Sequence, residues 1–361
     1  MPRVTVTTGA RLHAGFRNLS LSLARLYGGV GLALAEPRTA VVAEPASDVT
    51  VADATDGAHG ADGIDGTNGA DGIDDSSDDV LAAVADYARR TCGLLDLPGA
   101  RVEVGERLPR HVGLGSGTQL ALATYTAVAR ANGADPQPRE DAPALGRGGR
   151  SGVGVAAFES GGFVADAGHP TERFTTSPPA DGEWTVPSVL ARYDVPSDWR
   201  VCLVLPAAET GRHGEAEDRS IRGVVERADP DLAEELASLL VDRLLPAAVE
   251  GRTEAFGAAI AEFGRLNGAW YADVQGGVYR PPAGRIVEAL SGSPAVAGAG
   301  QSSWGPAVWA LTDAARAAEA RAAAEKALEA ADCEGRVVLT RPLNEGATVT
   351  VADDTDTARG G

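Results

Sequence analysis

Pro109-Arg-His-Val-Gly-Leu-Gly-Ser-Gly-Thr-Gln-Leu-Ala-Leu-Ala123 sets three glycines, at 113, 115 and 117, between a short strand-like run, Arg101 to Val104, and an apolar-periodic segment from Leu120 to Ala129. The pattern predicts a loop feeding a helix N-terminus, with Ser116 and Thr118 as its cap. Glycine removes the side chains that would keep backbone N–H groups from converging, and the helix dipole adds partial positive charge at the same point. The expected property is an anion cradle, most naturally for phosphate. The spacing fits neither G-x-x-x-x-G-K-[ST] nor G-x-G-x-x-G, so two common nucleotide fingerprints are excluded. A glycine-rich helix start that serves packing alone is the alternative for this stretch taken by itself.

Around that loop, 361 residues give room for two domains with a real core. Charge is the unusual property: 51 acidic against 32 basic residues leave a net −19, and Lys326 is the single lysine. Such a chain is a poor partner for nucleic acid or an anionic membrane surface. The balance also predicts adaptation to a high-salt cytoplasm, because salt screens the self-repulsion of an acidic surface. Cys92, Cys202 and Cys333 are odd in number, far apart and without metal-ligand spacing, as expected of reduced thiols in a cytoplasmic protein. No signal-peptide pattern opens the chain, and no apolar run approaches the roughly 20 residues of a spanning helix.

Upstream of the loop, Val4 to Thr8 alternates like a strand and runs into Gly9-Ala-Arg-Leu-His-Ala-Gly-Phe-Arg-Asn-Leu19. Tyr27-Gly-Gly-Val-Gly-Leu-Ala-Leu-Ala35 then supplies a glycine turn and an apolar strand. Arg11, His13 and Arg17 are placed on the intervening loop, facing a ligand or solvent. Residues 50–79 collapse to Asp, Gly, Ala, Thr and Ser and hold a nine-residue near-repeat, at 60–68 and 69–77. Calcium-binding β-helix repeats need several stacked copies, so the reading is a solvated, disordered insertion. Asp79 then caps a helix carrying Leu81, Val84, Ala85 and Ala88.

Downstream, Gly146-Arg-Gly-Gly-Arg-Ser-Gly-Val-Gly154 sets dense glycines beside Arg147 and Arg150, each able to grip a phosphate through a bidentate fork. The polar run Thr171 to Ser197 is read as the domain junction, which gives an N-terminal domain at 1–180, a C-terminal domain at 181–345 and a frayed acidic tail at 346–361. The C-terminal pattern of strand, two helices, two strands, helix and strand is ferredoxin-like with one extra short helix.

Three segments carry a resemblance: the opening strand and loop, residues 109–123, and Val296-Ala-Gly-Ala-Gly-Gln-Ser-Ser-Trp-Gly305. They are similar, in order, to the three motifs of the GHMP kinase superfamily, and the resemblance covers nearly the whole chain. It implies an α+β, two-domain fold with an N-terminal ribosomal-protein-like βαβ domain and a C-terminal ferredoxin-like domain. The kinases carry S-G-x-D after the second motif, whose aspartate assists the attacking hydroxyl; here Ser151-Gly-Val-Gly154 puts glycine in its place. Phosphoryl transfer by the kinase route is therefore doubtful. The details, with Phe158-Glu-Ser-Gly-Gly162 and Gln301-Ser-Ser-Trp-Gly-Pro306 among them, resemble a non-kinase branch, the β-ribofuranosylaminobenzene 5'-phosphate synthases of methanopterin biosynthesis.

That resemblance implies a decarboxylating phosphoribosyltransferase. It joins 5-phosphoribosyl 1-diphosphate to 4-aminobenzoate or 4-hydroxybenzoate, releases carbon dioxide and diphosphate, and uses Mg2+. Gly113, Gly115, Ser116, Gly117 and Thr118 are then expected to cradle diphosphate, with Ser116 on the metal and Arg147 and Arg150 on phosphate groups. Arg11, His13 and Arg150 are the expected catalytic groups, Arg11 or His13 supplying a cation for the aromatic acid. Trp304, with Gln301 and Ser302, is expected at the ring, where Trp270 and Tyr271 compete; His111 is a further candidate for a phosphate or the ring substituent. The expected partners are small molecules, with a homodimer carried over from the family. Two rivals stand: a small-molecule kinase in which Asp166 or Glu159 replaces the missing aspartate, and a ligand sensor that binds without turnover.

Overall fold

In β1 (Arg3–Asn18), Val4 and Val6 are buried while Arg3 and Thr5 are not, the period-two signature of a strand with one face on a core. The computed structural model describes residues 2–54, 77–175, 179–208 and 214–352. β1 pairs antiparallel with β2 (Arg25–Pro45), and the ladder shifts register between Gly9 and Arg11 and again between His13 and Gly15. Bulges of this kind re-aim side chains, and here they bracket Arg11 and His13.

β3 (Thr50–Asp53) lies parallel to β4 (Ala100–Val104), so the chain between them, which contains α1 (Ser77–Leu95), is a crossover and forms the expected βαβ unit. β3 and the start of α1 both fall inside the run read as an insertion; its remainder, 55–76, lies outside the described residues. α2 (Ser116–Ala131) packs beside α1 on one face of the sheet, where Val84, Tyr87 and Ala88 share a core with Leu122, Tyr125, Val41 and Val102. Short α3 (Pro138–Asp141) and α4 (Val153–Ser160) lead to β5 (Phe163–Asp166) and β6 (His169–Pro170), both paired with β2.

β7 (Val189–Tyr193) pairs with β5, so the N-terminal sheet continues past residue 180, where composition had put the boundary. The polar stretch before β7 is polar because it walls a cleft, described below, rather than because it links domains.

The second unit opens with β8 (Trp199–Pro206) and continues through α5 (Gly214–Val225), α6 (Pro230–Leu239), α7 (Leu245–Val249), α8 (Thr253–Gln275) and α9 (Ala283–Ser291). β9 (Gly298–Gln301), β10 (Val308–Asp313), α10 (Ala317–Ala330) and β11 (Gly335–Thr340) complete it. Its four strands are antiparallel in the order β11-β8-β10-β9, the ferredoxin-like order. β12 (Thr348–Ala352) then returns to the N-terminal sheet and pairs with β1 from Arg3 to Thr7. The tail is therefore tied down as far as residue 352, since an unpaired edge of β1 offers it backbone partners.

The two sheets share one apolar core. Leu12, Leu34 and Phe163 from the first meet Trp199 and Leu203 of β8 and Phe256 and Phe263 of α8. α8 touches both β1 and β9, and Asn267 Nδ2 donates to Phe16 O at 2.7 Å, which pins the helix to the end of β1. Among the described residues no helix is long and apolar enough to cross a membrane.

Candidate active site

The glycine loop takes its shape from backbone that only glycine adopts cheaply. Gly113 and Gly115 have φ of 93° and 78°, and His111 is also left-handed, at 57°. Gly115 is the N-cap of α2, with no side-chain cap; its carbonyl accepts from Thr118 N and Gln119 N at 3.0 and 3.1 Å. Ser116 and Thr118, expected as caps, instead lie in the first helical turn. A left-handed glycine already turns the chain into the helix, so no hydroxyl is needed there.

Three segments are stitched together at this loop. Arg11 N donates to Leu114 O at 3.0 Å and Arg11 Nη1 to Gly113 O at 3.1 Å. Ser302 Oγ donates to Gly113 O at 2.7 Å and accepts from His13 N at 3.1 Å, while Ser303 N donates to His13 O at 2.9 Å. A side chain at Gly113 would run into the Ser302 carbonyl. Gly113 and Ser302, expected at the ligand, thus hold β1, the loop and the β9–β10 turn together, and Ser302 is fully buried. Gln301 does similar work: its Oε1 accepts from Arg280 N at 2.8 Å and its Nε2 donates to Ser303 O at 2.9 Å.

Two guanidinium groups lie directly on the start of α2. A Cβ at Gly115 would stand 3.1 Å from Arg11 Nε, and one at Gly117 would stand 3.1 Å from Arg147 Nη1. Arg147 donates to the Tyr87 hydroxyl and lies 5.3 Å above that ring, while its Nε is sealed without a partner. Trp184 Nε1 donates to Arg147 O at 3.0 Å and its ring abuts Gly149, which braces the arginine loop from the side. His169 stacks on Phe174 with centroids 3.5 Å apart and is hydrogen-bonded to the backbone of Gly149; burial pushes its imidazole down to about 4.

These segments enclose a cleft with about 1210 Å³ of empty space, lined by Arg11, His13, Thr118, Arg147, Arg150 and Trp304 among others. The structure therefore brings together six residues that sequence reasoning had taken from four separate segments. Ser116 is buried and does not line it, nor does His111. Sequence reasoning missed Asp181 and Trp184, which line the cleft against the arginine loop, and Tyr87 beneath Arg147. A tryptophan in so polar a stretch was the one available signal for Trp184.

Beside the cleft runs a narrower crevice of about 430 Å³, counting the solvent at its mouth, and the two share His13, Phe16, Ser303 and Trp304. Tyr271 lines the crevice, edge-on to Trp304 at 4.8 Å, whereas Trp270 does not.

His13 stands where cleft and crevice meet. Its Nε2 is 3.2 Å from Ser151 Oγ, and that hydroxyl donates to Asp166 Oδ2 at 3.1 Å while accepting from Val153 N at 3.2 Å. With its proton given to the carboxylate, Ser151 can only accept from His13, which fixes the Nε2–H tautomer and leaves a lone pair on Nδ1. Neither ring nitrogen is among the sealed atoms without a partner, and Nδ1 makes no hydrogen bond among the described residues. Nδ1 is therefore open to the cavity. Burial, with a further push from Arg11, holds this imidazole well below the usual histidine range. The imidazole is thereby held neutral, so of the two groups expected to supply a cation Arg11 is the one that carries charge.

Neither stand-in for the kinase aspartate reaches the cleft. Asp166 is 2% exposed and accepts from Gly152 N at 2.7 Å and Gly168 N at 2.8 Å, so it braces the floor under the arginine loop. Glu159 pairs with Arg139 at 2.6 Å and does not line the cleft. At Gly154 a Cβ would already press on Thr118 Cγ2 at 3.2 Å, so the place of the missing carboxylate is filled by its neighbour.

Comparison with known proteins agrees with this geometry. Residues 79–162 match the family described as GHMP kinases N terminal domain, and residues 244–330 match GHMP kinases C terminal. A beta-ribofuranosylphenol 5'-phosphate synthase of Methanothermobacter thermautotrophicus is 33% identical over 346 residues, covering 95% of this chain and 97% of the relative. One of Archaeoglobus fulgidus is 31% identical over 350 residues, covering 95% and 98%. Among solved structures, homoserine kinase from Cytophaga hutchinsonii superposes with a TM-score of 0.63 at 17% identity over 96% of this chain and 97% of its own. Mevalonate diphosphate decarboxylase from Staphylococcus aureus gives 0.61 at 11% identity over 97% and 98%. At these identities the structural likeness speaks for the fold alone.

Proposed function

From the premise that the chain belongs to the beta-ribofuranosylphenol 5'-phosphate synthases, a family with the GHMP kinase fold, we propose how its cleft carries out their reaction. The enzyme is a phosphoribosyltransferase joining 5-phosphoribosyl 1-diphosphate to a 4-substituted benzoate. The relatives' name specifies a phenol, which favours 4-hydroxybenzoate over 4-aminobenzoate as acceptor. One observation carries the reading: Arg11, Arg147 and Arg150 converge with the start of α2 on a single cleft, while the carboxylates a kinase would use are sealed or turned away.

In the reaction the bond from the anomeric carbon to diphosphate oxygen breaks, and its electron pair leaves with diphosphate. The ring carbon bearing the carboxylate bonds to that anomeric carbon. Carbon dioxide then departs, and the electrons of its bond return to the ring. Arg11, Arg147 and the first turn of α2 hold the leaving diphosphate, where charge accumulates as the bond breaks. Arg150 takes the remaining phosphate charge. A cation at position 13 would oppose the positive charge growing on the anomeric carbon; the neutral His13 with its Nδ1 lone pair does not.

The residues fit a Mg2+ that arrives on the diphosphate, and not a resident one. No group of three His, Cys, Asp or Glu suited to a metal occurs among the described residues, whereas Mg2+ needs only one or two protein oxygens when substrate phosphates and water supply the rest. Thr118 and Asp181 are among the side-chain oxygens that line the cleft, whereas Ser116 does not. Three unpaired cysteines suit a reducing cytoplasm.

The test is to incubate the protein with 5-phosphoribosyl 1-diphosphate, Mg2+ and carboxyl-labelled 4-hydroxybenzoate. Release of labelled carbon dioxide that depends on both substrates is expected. ATP consumption with no release would overturn the proposal in favour of a kinase.

A further inference from the structure

The cationic cleft accounts for the phosphates and leaves the second substrate without a place. The adjoining crevice has the opposite chemistry. None of its lining residues is Asp, Glu, Lys or Arg, and Phe16, Tyr271, Tyr279 and Trp304 supply aromatic walls. Its amides are committed to the fold: Asn267 Nδ2 to Phe16 O at 2.7 Å, Gln275 Nε2 to Val278 O at 2.7 Å, and Gln301 Oε1 to Arg280 N at 2.8 Å. A carboxylate carried inside would lose its water with no cation to replace it, a large cost. A flat ring with one neutral polar substituent meets no such penalty, and aromatic walls favour it.

We infer that this crevice is the acceptor subsite: the ring of the aromatic acid enters para-substituent first, and its carboxylate stays at the mouth, between His13 and Trp304, facing the three arginines. The orientation follows from charge, since every cation lining the two cavities is on the cleft side. It also places the carboxyl-bearing carbon nearest the sugar, where the new bond must form. The inference rests on the synthase reading above.

Gly264 of α8 lines the crevice, and a methyl group there would meet only Ala14 O, at 3.5 Å, an ordinary contact. Gly264→Ala therefore removes space without straining the backbone, and alanine favours the helix. The KM for 4-hydroxybenzoate is expected to rise about 10-fold or more, the scale of one misfit carbon in an apolar pocket, while the KM for 5-phosphoribosyl 1-diphosphate stays within about twofold. The thermal midpoint should not fall. An unchanged KM for the acid, or an equal rise for both substrates, overturns the subsite. On the unaltered enzyme, benzoates with growing para-alkoxy groups should compete progressively less well against 4-hydroxybenzoate; equal competition across the series overturns the orientation. Failure of the unaltered enzyme to release carbon dioxide would instead strike the synthase reading, so the two failures are told apart.

Discussion

Cleft and crevice meet at the same four residues and are made in different ways. The cleft is a backbone construction: left-handed Gly113 and Gly115, α2 starting at Gly115, and guanidinium groups resting where side chains are missing. The crevice is a side-chain construction, assembled from the end of β1, the face of α8 and the β9–β10 turn, with its amides fixed to carbonyls. Charge is concentrated in the first and excluded from the second. A two-substrate enzyme thereby sorts an anion from a ring before any chemistry begins.

Removing one phosphate-side charge should give the largest effect and test that division most sharply. Arg150→Ala is expected to lower kcat/KM for 5-phosphoribosyl 1-diphosphate by about 100-fold or more, the scale of a lost charge-assisted contact to a developing anion. The KM for 4-hydroxybenzoate, whose carboxylate still faces Arg11 and Arg147, should rise far less in steady-state kinetics; equal losses for both substrates would break the comparison. Next in size, Gly113→Ala forces a side chain into a left-handed residue and toward the Ser302 carbonyl, so the unfolding free energy in urea should fall by about 2 kcal/mol or more. Its counterpart in the crevice, Gly264→Ala, should leave stability intact.

The smallest effect concerns pH. His13 and His169 are both held below the ordinary histidine range by burial, His169 to about 4, so the unfolded chain takes up protons at a higher pH than the folded one. Their contribution to stability is complete above about pH 6.5 and is lost as pH falls toward 4. His169→Gln should therefore flatten the dependence of the thermal midpoint on pH between 7 and 5, measured by calorimetry; an unaltered slope would remove His169 from the account.

The same contrast explains what could be read from the chain alone. Residues 109–123 and the pair Arg147 and Arg150 were legible, because glycine spacing and arginine are local marks of phosphate binding. The ferredoxin-like order was legible from periodicity. Gln301 lines the crevice while also tying a turn, whereas Ser302 lines neither cavity: polar side chains between glycines look alike whether they face a ligand or tie a turn, and only the partners, Gly113 O and Arg280 N, tell them apart. His13 was found, but the choice between it and Arg11 as the cation stayed open, since its burial and its bond to Ser151 depend on residues far along the chain. The wall containing Asp181 and Trp184 was taken for a linker because polarity marks cleft rims and linkers equally. Of the crevice, Trp304, Gln301 and Tyr271 were expected at the ring, but that they share one cavity with Phe16 and Tyr279 was not legible, since its walls come from separated segments that converge only after folding.

β12 closes the edge of the very strand that bears Arg11 and His13. Since Arg3 to Thr7 gain this neighbour only from Thr348 to Ala352, β1 waits for residues made far later on the same chain before both its edges are covered. Closure of the β1–β2 hairpin's outer edge thus comes late in biosynthesis, and a nascent chain stalled short of residue 348 would present an open, sticky border to its neighbours.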